Sequence, residues 1–140
     1  MPDMKILLMA GLAAFAFFSR TAVLRAQDDT VAYPNLSPSE AWELLGKRSG
    51  DHGFVLLDVR TPKEFTAERI AGAVIVDYNS PSFRDGMAKL DRGKTYLVYC
   101  RTGNRSQGAL QVMRELGFRN VLHISGGITQ WKEAGLPTAR

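Results

Sequence analysis

Cys100 is the only cysteine among 140 residues. It follows the apolar run Tyr96–Tyr99 and precedes Arg101-Thr102-Gly103-Asn104-Arg105-Ser106, where a helical pattern begins. The thiolate is the nucleophilic form of cysteine, and helix N-termini and nearby cations favour it. A tight turn from strand to helix aims several backbone N–H groups into one hollow, and the helix N-terminus adds partial positive charge. Gly103 supplies backbone freedom to such a turn, and Asn104 tolerates a left-handed conformation. Arg101 and Arg105 add full positive charges. The expectation is a nucleophilic Cys100 whose ionised form and anionic adducts are stabilised by the loop amides. The competing reading is a buried, inert cysteine, the common state of a free thiol.

The elements that must position this loop alternate along the chain. Ser37 as N-cap, Pro38 at the first helical position and Glu40 at the third write a capping box. Phe54 to Val59 is a short apolar run, read as a buried strand. Thr61, Pro62 and Glu64 repeat the helix-start grammar. Ala73 to Val76 reads as a second buried strand, and Ser80-Pro81 opens a weaker helix. Lys94–Cys100 is a third strand. The helix beginning near Ser106 places Ala109, Val112, Met113 and Leu116 on one face, with Gly117 as its stop. Asn120–Ser125 is a fourth strand, and a last short helix ends at Gly135 and Pro137. A possible edge strand lies near Val31–Tyr33. Strand–helix alternation with continuous apolar strands predicts an α/β fold, a mostly parallel central sheet with helices on both faces. In such a sheet ligands bind beyond the carboxyl ends of the strands, where Cys100 sits.

Residues 1–26 differ from the rest. Lys5 precedes thirteen uncharged residues, Ile6 to Phe18, and Ala26 offers a small residue at a cut. The layout is that of a secretory signal peptide, and the run is short against the about 20 residues of a membrane-spanning helix. The expectation is a cleaved leader, with an uncleaved anchor as the alternative, and one domain over 27–140. The address would be periplasmic or secreted, with no membrane association after cleavage. Removing the leader, which holds Lys5, Arg20, Arg25 and Asp3, takes the formal net charge from +4 to +2. No basic cluster interleaved with aromatics marks a nucleic-acid surface. One cysteine excludes an internal disulfide and any multi-cysteine zinc site. His52 and His123 have no second ligand near them in sequence, so neither reads as a metal ligand, and no cofactor is implied. Trp42 and Trp131 read as core. Monomer is the default.

Cys100–Ser106 resembles the active-site loop of the rhodanese family of sulfurtransferases. Leu56–Phe65, Glu68–Tyr78 and Gly126–Thr138 resemble three further signatures of that family, so the likeness covers about residues 35–138. Two departures stand out: Arg69-Ile70-Ala71-Gly72-Ala73 occupies the place of the family's His-Ile-Pro-Gly-Ala, and the expectation is a single domain without the second rhodanese domain that some members carry. The resemblance implies a three-layer rhodanese-like fold and a two-step reaction. Cys100 takes the sulfane sulfur of an anionic donor such as thiosulfate, becomes a persulfide, and passes the outer sulfur to a thiol or cyanide. Arg101 and Arg105 would attract or orient the donor, or hold the loop through an ion pair. Thr102, Gly103 and Asn104 complete the loop. Ser106 would cap the helix or hydrogen-bond the thiolate, capping being favoured. Asp58 and Arg60 lie on the same sheet edge and would brace the site, Arg60 alternatively pairing with Glu64.

Three rivals remain. A cysteine phosphatase or arsenate reductase uses a Cys-x-x-x-x-x-Arg loop, but that arginine position holds Ser106 here and the arginine comes one residue earlier. A non-enzymatic binding module or slow persulfide carrier of the same fold would be separated by turnover. A thiol redox sensor would need an external resolving thiol.

Overall fold

A computed structural model describes residues 32–140. The leader and Val31 lie outside the described residues. Five strands alternate with five helices: β1 (Asn35–Leu36), α1 (Pro38–Lys47), β2 (Phe54–Asp58), α2 (Pro62–Ala67), β3 (Val74–Ile75), α3 (Phe83–Ala88), β4 (Thr95–Tyr99), α4 (Asn104–Glu115), β5 (Val121–Ile124) and α5 (Gly127–Glu133). The sheet order is β1-β5-β4-β2-β3, and every pairing is parallel.

Both capping boxes form. Ser37 Oγ accepts from Glu40 N–H while the Glu40 carboxylate accepts from Ser37 N–H, and Thr61 and Glu64 repeat the exchange. Each ties up two amide groups that a helix start leaves unpaired. Side chains alternate across a strand, and the central strands are apolar on both faces. Leu57, Tyr96 and Val98 therefore enter one core with Phe83 and Met87 of α3 and Ala109, Leu110 and Met113 of α4. Leu56, Leu97 and Tyr99 enter the other with Ala41 of α1 and Ile128 and Trp131 of α5. This is the expected three-layer arrangement, and it places Cys100, the residue after β4, in the α3–α4 layer.

Four expectations need correction. The edge strand lies at Asn35–Leu36; of the expected Val31–Tyr33, Val31 lies outside the described residues, and Tyr33 is buried outside the strand with its hydroxyl donating to the Phe118 carbonyl. The second apolar run pairs over only Val74–Ile75 at the sheet edge, and Val74 is 48% exposed. The Ser80-Pro81 helix starts later, at Phe83, because Ser80 Oγ takes the N–H of Ser82 in a preceding turn. Trp42 is not core: it is 47% exposed and meets the buried Trp131 edge-on, with ring centroids 5.8 Å apart.

At the place of the usual His-Ile-Pro-Gly-Ala, the Arg69 guanidinium stacks on Phe65 at 4.9 Å, and Arg69 pairs through its backbone with Ala139. The chain's C-terminal segment is thereby fastened to the turn after α2. No described helix is long and apolar enough to cross a membrane.

Leu57 is fully buried in the central strand β2. Leu57→Ala should destabilise by about 3 kcal/mol, since the rigid sheet cannot collapse into the void. Chemical denaturation checks this; a loss below about 1 kcal/mol would show that the layer repacks.

Candidate active site

The cysteine loop spans the gap from β4 to α4. Gly103 is the N-cap of α4, with φ +109, a conformation that favours glycine. Its N–H donates to Cys100 Sγ at 3.0 Å, which is the expected loop amide aimed at sulfur. The helix begins at Asn104, two residues before the expected start, so Ser106 falls inside the first turn and does not cap it. The Ser106 hydroxyl is instead turned inward. It lies 3.3 Å from Cys100 Sγ, 2.9 Å from the Gly103 carbonyl and 2.6 Å from His123 Nε2. Cys100 is 1% exposed, as the inert reading would have it. Its partners, however, are polar: a backbone N–H and a hydroxyl, both suited to a sulfur anion.

The far side of the loop rests on α5. Ile128 N–H donates to the Cys100 carbonyl at 2.9 Å and Thr129 N–H to the Arg101 carbonyl at 3.0 Å. This contact explains the glycine at the first position of α5. Gly127 has φ +60, and a Cβ there would collide with the Cys100 carbonyl oxygen and with the Arg101 backbone. The helix start thus approaches the loop backbone to backbone, with no room for a side chain.

The charged residues sort into two pairs. Asp58 and Arg60 are 0% and 4% exposed and bind each other: Arg60 Nη2 donates to Asp58 Oδ2 at 2.7 Å and Nε to Oδ1 at 3.0 Å. Arg60 Nη2 also donates to the Glu68 carbonyl at 2.6 Å. Burial alone would lower the Arg60 guanidinium, but the Asp58 carboxylate overrides it and holds it above its usual value. The pair therefore braces the carboxyl end of β2, and Arg60 does not take Glu64. Burial, aided by the Asp58 charge, also pushes Tyr99 up, leaving its hydroxyl neutral to accept the Ile70 N–H.

Glu64 goes to Arg105. The two form a bidentate pair, Nη1 to Oε2 at 2.7 Å and Nη2 to Oε1 at 2.8 Å. The Arg105 guanidinium, with help from Thr61, holds the Glu64 carboxyl down at about 2 against an ordinary 4.5. Reciprocally, Glu64 and then the Cys100 charge raise Arg105. One carboxylate thus caps α2 and locks the first turn of α4. Arg101, Thr102 and Asn104 are exposed, and Arg101 has no ion-pair partner among the described residues.

The structure brings Cys100, Gly103, Arg105 and Ser106 together and leaves Arg101, Thr102 and Asn104 at the rim. Sequence reasoning gave Glu64 a capping role and an alternative pairing with Arg60, not with Arg105, and gave His123 and Asn35 no role. Glu64 was findable as an acid next to the Asp58-x-Arg60 edge. The neighbours of His123 come from β1 and α4, which no local pattern connects.

Two outcomes test this geometry. A carboxylate held low in the folded state adds stability that is complete above 4.5 and is lost as pH falls toward about 2. Wild-type Tm should therefore drop more steeply across that window than the Tm of Glu64→Gln; equal slopes would remove the pair from the account. Gly127→Ala should cost more than about 2 kcal/mol in urea unfolding, whereas a loss under about 0.5 kcal/mol would mean the loop can lift off α5.

The Rhodanese-like domain family model matches residues 37–134. The protein slr1261 of Synechocystis is 42% identical over 88 residues, 61% of this chain but 47% of that protein. The chain thus aligns with about half the length of slr1261. The thiosulfate sulfurtransferase GlpE of Coxiella burnetii is 36% identical over 100 residues, 71% of this chain and 88% of GlpE. The crystal structure of a rhodanese-related protein from Thermoplasma volcanium matches with TM-score 0.65 and 30% identity, over 76% of this chain and 98% of that one. The family model spans more than half of the chain, and the chain belongs to the rhodanese-like domain family.

Proposed function

We propose that this protein is a sulfurtransferase that carries sulfur as a persulfide on Cys100. The observation that carries the reading is the pairing of a buried Sγ with two polar groups, Gly103 N–H and the Ser106 hydroxyl. In the first step the Cys100 thiolate attacks the sulfane sulfur of a donor such as thiosulfate. An S–S bond forms, the donor's S–S bond breaks, and sulfite leaves with the electron pair. In the second step a thiol or cyanide attacks the outer sulfur, and the Cys100 thiolate leaves. The loop amide and hydroxyl stabilise negative sulfur in both states. Arg101, exposed at the rim, is the cation free to draw in an anionic donor, while Arg105 holds the loop through Glu64. That the relative GlpE is named for thiosulfate supports the choice of donor. Export through residues 1–26 and a monomeric state belong to the same proposal.

A phosphatase reading is weaker on two counts. The loop is one residue shorter than the phosphatase pattern, and the arginine that would clamp a phosphate is already bound at both nitrogens by Glu64.

Intact-mass spectrometry before and after thiosulfate tests the reading. The wild type should gain one sulfur atom, which cyanide removes as thiocyanate, and Cys100→Ser should gain none. A folded wild type that gains no sulfur but hydrolyses phosphate esters would overturn it.

A further inference from the structure

His123 is buried, 2% exposed, on β5, and the sulfur chemistry above does not use it. Its Nδ1 lies 2.8 Å from Asn35 Oδ1. An amide oxygen can only accept, so this contact puts the ring proton on Nδ1 and leaves the Nε2 lone pair free. That lone pair lies 2.6 Å from Ser106 Oγ. Ser106 Oγ in turn accepts from the Cys100 thiol across 3.3 Å. Its one hydroxyl proton has two acceptors within reach, Nε2 and the Gly103 carbonyl at 2.9 Å, and the relay uses the rotamer that donates to Nε2. The four side chains form one line, Asn35–His123–Ser106–Cys100, assembled from β1, β5, α4 and the end of β4; His123, Ser106 and Cys100 are buried, and Asn35 closes the line at the exposed edge strand.

We propose that His123, fixed by Asn35 and acting through Ser106, is the positioning residue that receives the Cys100 thiol proton when sulfur is loaded. The proton leaves Cys100 for Ser106 Oγ as the Ser106 hydroxyl proton moves to His123 Nε2. The products are a Cys100 thiolate and an imidazolium. The thiolate then takes the sulfane sulfur, and the imidazolium faces the anionic persulfide through the same hydroxyl. After the acceptor removes the outer sulfur, the proton returns along the same path. Atoms and charge balance without an added reductant or oxidant. This step rests on the persulfide reading.

The surroundings suit the role. Asn35 from β1 and Ser106 from α4 meet the ring, and Cys100 at the end of β4 is the titratable group beyond Ser106. Burial is the sole cause of a shift at His123, and it holds the imidazole below its usual value. No carboxylate or cation contributes to that shift. The ring is therefore neutral near neutral pH and available as an acceptor; it loses that capacity as pH falls through its lowered value.

The test measures the single-turnover rate of sulfur loading from thiosulfate against pH. It measures the rate of Cys100 alkylation by iodoacetamide in the same series. His123→Gln keeps a polar group near Nε2 but cannot take up a proton. Loading and alkylation by this variant should both fall about a hundredfold near neutral pH and converge on wild type at alkaline pH, where hydroxide removes the thiol proton. Ser106→Ala cuts the line at its middle and should behave alike, which keeps the test decisive if His123→Gln fails to fold. His52→Gln, at the chain's other histidine, is exposed and is the control. Unchanged rates and pH profiles in folded variants overturn the relay while leaving the persulfide reading intact. A uniform loss at every pH, reflecting packing alone, overturns it too. A wild type that takes no sulfur overturns the persulfide reading, and the alkylation profile alone then judges the relay.

Discussion

The cysteine loop exists in its observed shape because α5 holds it by the backbone. Two amides at the start of that helix meet the carbonyls of Cys100 and Arg101. A backbone-to-backbone seat needs a residue without a Cβ at Gly127. It turns the loop carbonyls away from the sulfur and frees the Gly103 N–H to face it. Without the seat, carbonyl oxygens could approach Sγ, and a buried thiolate would meet partial negative charge. Gly127 is thus as much a part of the site as the cysteine, though it lies more than twenty positions away in sequence.

Around this seat the charges are arranged to hold shape. Asp58 and Arg60 neutralise each other under the sheet edge. Removing one member of such a buried pair would leave an unpaired charge, which is why both remain in contact with each other and not with a ligand. Glu64 joins the start of α2 to the start of α4. One carboxylate therefore couples two helix N-termini. The exposed Arg101 is then the loop's uncompensated cation, placed where an incoming anion would meet it first.

Burial of the sulfur carries a second consequence. Deprived of water, Cys100 depends on the few groups that touch it. The chain of contacts from Ser106 passes through the buried His123 on β5 and ends at Asn35, exposed on the edge strand β1. A polar line of this kind is tolerated in a core only when each member is satisfied, and among the described residues no buried side-chain polar atom lacks a partner.

The sequence by itself determined the order of elements, the parallel α/β class, both capping boxes and the position of the cysteine loop between β4 and α4. Those features are local: caps need residues three apart, buried strands need short apolar runs, and the loop is contiguous from Cys100 to Ser106. It misjudged Trp42, because an amphipathic position does not reveal whether the neighbouring surface is covered. It also misjudged Ser106, because a serine near a helix start fits a cap as well as an inward hydroxyl. Only the tertiary structure decided that Glu64 belongs to Arg105 and not to Arg60, and that Asn35 and His123 stand behind the sulfur. Asn35, Ser106 and His123 come from three separate elements. Their meeting follows from the β1-β5-β4 strand order, a long-range arrangement that no spacing along the chain encodes.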